Sequence, residues 1–161
     1  MSLVQTGDYF DKARSIAASV LFASGAAAII GAVLDWVTVE ERPPNVPSDQ
    51  LDRLPPLSGI EVVDGWYVIG AAAIIWVSAF FIVLRRRAFY SWLAFVASMV
   101  IGAIAVADYR DIDGLLSDVE GIGRGPEPGV GLLLVTAAAF VGMVAAVAGV
   151  AASPSQAGER A

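Results

Sequence analysis

The chain has 161 residues, of which 57% are hydrophobic and 16% charged, with a mean hydropathy of +0.70 and a formal net charge of −6. Soluble domains are about a quarter charged, so this balance argues against a water-soluble globule, and the acidic sum leaves no overall basic surface for nucleic acid. With neither Cys nor His, the sequence excludes disulfides, thiolate or imidazole metal sites, Ser-His pairs and cysteine nucleophiles.

A hydrocarbon core about 30 Å thick needs about 20 apolar residues in a helix, and four runs reach roughly that length. The first, 16–39, follows Lys12 and Arg14 and contains a single charge, Asp35. A cleaved signal peptide is the competing reading, but signal cores run to about 7–15 residues, so an uncleaved span is expected. A lipid anchor is not indicated, because Ser2 follows Met1 and no Cys is present. The loop 40–65 is acidic and carries Pro43, Pro44, Pro47, Pro55 and Pro56, which favour an extended segment. Its residues 59–63 are expected to form a short strand or to fold over the bundle mouth.

The second span, 66–84, has no charge and is rich in bulky groups, Trp76, Phe80 and Phe81. A tight basic turn, Arg85, Arg86 and Arg87, leads into the third span, 88–107. The loop 108–129 is again acidic. Its Ile112, Leu115, Leu116 and Val119 repeat at helical spacing and predict a short amphipathic helix on the membrane surface. The glycine-rich string GIGRGPEPG superficially matches a phosphate-cradling loop, but Pro126 and Pro128 interrupt it and a flexible turn is expected. The fourth span is 130–152, and a short tail with Arg160 follows.

Orientation follows from the basic residues of the short loops. Lys12, Arg14, Arg85, Arg86, Arg87 and Arg160 fall on one side, and Arg42, Arg53, Arg110 and Arg124 on the other. Both termini are therefore expected in the cytoplasm of a multi-pass protein, with Arg85, Arg86 and Arg87 as the topology determinants. Trp36, Trp66, Tyr67 and Tyr109 mark the outer ends of spans, and Tyr9, Tyr90 and Trp92 the inner ends, as interfacial aromatics do. Only Trp76 falls mid-span.

Helices in lipid associate through close approach at small residues. The first span offers Ala23, Ala27 and Gly31, the third Ala94, Ser98 and Gly102, and the fourth Ala138, Gly142 and Ala146. The second offers bulk for grooves or lipid instead. The expected fold is an all-α membrane protein, one domain over 1–161, with four transmembrane helices in an up-down bundle. The small-residue rows serve bundle packing or, alternatively, a homo-oligomer seam.

An intramembrane carboxylate is by default a functional candidate. Asp35 continues the row Ala23, Ala27, Gly31 and is expected to face the bundle near the outer end, within reach of Tyr109 or Arg110. Asp108 and Arg110 complete this candidate polar or partner site. No spaced Ca²⁺ loop appears among the acids, and no cofactor or metal is expected.

The strings LDWVTV closing the first span, LSGIEVVDGWYVIG opening the second and ADYRD closing the third resemble those of small four-span membrane proteins of actinobacterial type. Nine Arg to one Lys, with abundant Ala, fit such a source. The resemblance implies a bacterial plasma-membrane architecture and carries no catalytic residue.

Intramembrane hydrolases need His, Cys, a Ser-Lys pair or paired mid-membrane Asp, none of which is present, so no enzyme is expected. A structural or accessory subunit, partnered by the bilayer and other membrane subunits and not by nucleic acid, is the first functional expectation. The alternative is a small transporter or channel using Asp35. That residue lies nearer a span end than the mid-helix carboxylate of the small multidrug exporters.

Overall fold

The computed structural model describes residues 3–38, 57–60, 64–85, 87–110 and 127–153. Four helices dominate: α1 (Leu3–Val33), α2 (Asp64–Arg85), α3 (Ala88–Arg110) and α4 (Val130–Ala151). Each is long and apolar enough to cross a membrane, in α1 through Tyr9–Val33. The last three match the charge-free runs of the sequence to within a few residues. Their ends carry helpful charges: Asp64 opens α2, Arg85 closes it and Arg110 closes α3, each sign complementing the helix dipole.

The first span departs from expectation. Its helix ends at Val33, and the chain turns at Leu34 into strand β1 (Asp35–Thr38) instead of staying helical to residue 39. Trp36, Val37 and Thr38 are aromatic or β-branched and fit a pleated surface. The Trp36 indole then reaches back, its Nε1 donating to the Gly31 carbonyl at 2.8 Å. That carbonyl is one of those a helix end leaves without an intrahelical partner.

β1 is the middle of a small antiparallel sheet, with β2 (Leu57–Ser58) on one edge and β3 (Glu127–Pro128) on the other. Asp35 pairs with Ser58 and Val37 with Leu57, with a shift of register between them. Val37 pairs with Pro128 and Thr38 with Glu127. β2 at Leu57–Ser58 lies just before the expected segment 59–63, of which Gly59 and Ile60 form a turn and 61–63 lie outside the described residues. The proline-rich 43–56, the amphipathic 112–119, Arg86 and Arg160 lie outside the described residues.

α1 and α3 each pack mainly on α2 and α4, which closes a ring of four. Contacts pair Arg14 with Ala152, Ser24 with Ala138 and Gly31 with Gly131, while Trp76 meets Phe22. The interior is mostly small: Ala28, Ala32, Ala72, Ala105 and Ala146 are buried around a few larger groups such as Leu21, Ile75, Ile101 and Leu132. Large residues face outward instead, among them Phe22, Phe80, Trp92 and Phe140. Small inside and large outside suits helices surrounded by lipid, where the solvent itself is apolar.

Candidate functional site

Two polar regions stand at opposite ends of α4, joined by a sparse column of hydroxyls. At the end where α4 begins, the sheet lies over the helix ends. Trp36 is fully buried there, and Gly59 lies against its ring where any Cβ would collide. The Gly129 amide donates to the Trp36 carbonyl at 2.7 Å and the Gly65 amide to the Gly59 carbonyl at 2.8 Å. Glycine is required at 129 because the backbone of Asp35 occupies the space a side chain would need, and at 131 because the carbonyls of Gly31 and Leu34 do.

Asp35 does not stand where the sequence placed it. Asp35 stands on β1, outside the helix, with its side chain exposed, so it neither continues the small-residue row nor faces the bundle. Its backbone, not its carboxylate, makes the close contacts. Asp108 is buried in the last turn of α3, whereas Tyr109 and Arg110 are exposed. Among the described residues no ion pair joins Asp35 to Arg110; Arg14 with Asp11 is the pair observed. Arg85 and Arg87 are exposed at the turn between α2 and α3.

The packing rows fare unevenly. In α4, Ala138, Gly142 and Ala146 are all buried, and in α3 Ala94 and Ser98 are buried with Gly102 half-buried. In α1 the row is misphased: Ala23 is exposed and Ala27 half-buried, and only Gly31 of the three is buried. Besides Arg14 and Gly31, the residues turned inward are Ala17, Ala18, Leu21, Ser24, Gly25, Ala28 and Ala32. The same four-residue step stays buried throughout in α4, so spacing alone does not set which face of a helix turns inward.

Sequence reasoning also missed the groups that hold the interior. Ser24 Oγ donates to the Ala138 carbonyl at 2.7 Å, tying α1 to α4. Ser98 Oγ donates within its own helix to the Ala94 carbonyl at 2.9 Å. Gly142 sits opposite both serines: a Cβ there would come within 2.6 Å of Ser98 Oγ and 2.8 Å of Ser24 Oγ. Ser78 and Ser91 are buried with no partner on their hydroxyls. Trp76 stacks on Phe22 at 5.0 Å, and its Nε1 donates to the Phe22 carbonyl at 2.9 Å. Gly25 makes that seat possible, since its Cβ would lie 2.7 Å from the indole.

At the far end of α4, Arg14 is 5% exposed. Its Nη2 donates to the Ala152 carbonyl at 3.5 Å and lies 3.3 Å from Asp11 Oδ1. The guanidinium thus faces the carbonyl end of α4, where the helix dipole favours a cation. Two apolar grooves mark the outside. One, about 470 Å³, runs between α1 and α4 over Ala17 and Ala145, and the other, about 360 Å³, between α2 and α3 over Gly70 and Ala97.

No protein family, characterised protein or solved structure matches this chain. Chemically, the described residues hold no group of three or more acids positioned for a metal ion. Ser24 and Trp76 spend their hydrogen bonds on carbonyls of a neighbouring helix, whereas Ser98 and Trp36 bond carbonyls close by in their own segment.

Proposed function

We propose that the chain is a non-catalytic multi-pass protein of a bacterial plasma membrane and serves as a structural or accessory subunit of a larger membrane complex. The observation that carries this reading is the use made of the interior. Buried Ser24 and Arg14 each direct a side-chain donor to a carbonyl of α4, half-buried Trp76 directs one to α1, and side chains such as Leu21, Ile75, Ile101 and Leu132 fill the space between. A bundle so occupied presents its outer surface, including the grooves over Ala17 and Gly70, as the part available to partners.

The reading includes an up-down course with both termini cytoplasmic. Contact numbering supports the course, since residues of α1 meet residues of α4 in descending order, Arg14 with Ala152 and Gly31 with Gly131. The basic turn of Arg85 to Arg87 supports the orientation. The actinobacterial resemblance belongs to the same proposal. A transporter acting through Asp35 gains nothing from the exposed position of that residue.

The test is purification of the tagged full chain from its membrane in mild detergent, with particle mass and composition read together. Stoichiometric foreign subunits are expected. A particle of this chain alone that carries proton or cation flux in liposomes, lost on Asp35→Asn, would replace the subunit reading with the transporter.

A further inference from the structure

Arg14 is a buried charged group whose donors are incompletely used. A guanidinium carries five donors in a rigid fork and stays charged in any protein environment. Here both polar contacts fall on Nη2, at 3.5 Å and 3.3 Å, and Nε is buried without a partner. Charge-assisted bonds are normally about 2.7–2.9 Å. A buried cation held this loosely at the end of four apolar helices is costly unless another acceptor completes it.

Space for that acceptor adjoins the group. Asp11, Arg14, Ser15 and Val83 line a cleft of about 120 Å³ between α1 and the end of α2. Exposed Arg85 and Arg87 follow Val83 at the same end of α2 and the turn beyond it, and exposed Lys12 neighbours Asp11. Asp11 is the one opposing charge lining the cleft. Its side chain is 46% exposed, three residues from Arg14 on the same helix, and its 3.3 Å contact with the buried guanidinium is longer than a charge-assisted bond.

We infer that the Arg14 cleft binds a phosphate oxyanion, with the guanidinium as the anchoring fork and the Ser15 hydroxyl and neighbouring cations around it. Planar bidentate recognition of phosphate is what the guanidinium does best. The cleft lies at the ends of the membrane helices, the depth at which anionic headgroups meet basic side chains. The oxyanion comes either from a lipid headgroup or from a free anion. The inference concerns this chain alone and stands apart from whether it joins a larger complex.

The test is native mass spectrometry of the full chain in mild detergent, titrated with phosphatidylglycerol and with diacylglycerol of the same acyl chains. Wild type should hold one phosphatidylglycerol about tenfold or more tighter than diacylglycerol, the scale of one charged hydrogen bond. Arg14→Gln should erase that preference and Asp11→Asn should increase it. Val83→Trp, which fills the cleft while leaving Arg14 intact, should erase it too and decides the matter if Arg14→Gln does not fold. Displacement of the lipid by millimolar inorganic phosphate would support the site with a free anion as its source; resistance would support the headgroup. Equal affinity for the two lipids with no binding of inorganic phosphate, or an unchanged preference in folded Arg14→Gln and Val83→Trp, would overturn the inference.

Discussion

The seam between α1 and α4 and the seam between α2 and α3 draw on the same small residues, yet one is closed at the sheet end and the other stands open. Where α1 meets α4, backbone touches backbone: a methyl on Gly131 would lie 2.6 Å from the Gly31 carbonyl oxygen, and one on Gly31 would lie 2.8 Å from that of Gly131. Where α2 meets α3, Gly70 has nothing within 4 Å of the same position and opens into the groove of about 360 Å³. Aromatic stacking of Phe81 on Tyr90, with centroids 5.0 Å apart, holds that pair near its turn. Lipid tails give helices no reason to hide apolar surface from one another. At the sheet end two facing glycines bring α1 and α4 to backbone contact, whereas Gly70 faces no such partner.

Three substitutions break or sharpen this contrast. The largest effect belongs to Trp36→Ala, which empties the space beneath the sheet and removes the bond to the Gly31 carbonyl; a loss of about 3–5 kcal/mol is expected in reversible unfolding in detergent micelles. A loss below about 1 kcal/mol would mean that the sheet does not close the α1–α4 seam. Next is Gly131→Ala. Its methyl meets the carbonyl oxygens of Gly31 at 2.6 Å and Leu34 at 2.7 Å, backbone atoms that cannot swing aside, so about 1–3 kcal/mol should be lost in the same assay. The smallest and opposite effect belongs to Gly70→Ala, where the open groove receives the methyl and a helix gains about 0.5–1 kcal/mol from the lost flexibility of glycine. If Gly131→Ala and Gly70→Ala behaved alike, the difference between the two seams would not exist.

Much of this architecture was legible from charge and hydropathy. α2, α3 and α4 follow to within a few residues from charge-free runs flanked by Asp64 and Arg85, by Arg87 and Asp108, and by Glu127 and Glu159, because no polar group can enter the apolar core without cost. The end of α1 was not legible that way. Leu34 through Val39 is as apolar as the helix before it apart from Asp35, and hydropathy does not distinguish strand from helix in a run so short. The usable signal was the β-branched and aromatic run Trp36, Val37, Thr38 and Val39. The inward face of α1 was hidden for a related reason: with apolar residues all round, no contrast marks its phase. Buried Arg14 was read only as a topology charge, since the Ala152 carbonyl that it meets lies at the other end of the sequence.

The sheet has a consequence for the order in which the molecule can be completed. β1 follows α1 directly, but its two neighbours come from two different loops, and Thr38 meets Glu127 across 89 positions of sequence. Trp36 therefore waits for the last quarter of the chain before Gly129 can bond to its carbonyl. Closing so wide a loop is entropically unfavourable until the helices have brought the ends together. The finished sheet thus acts as a receipt for insertion, present only in molecules whose last helix has joined the first.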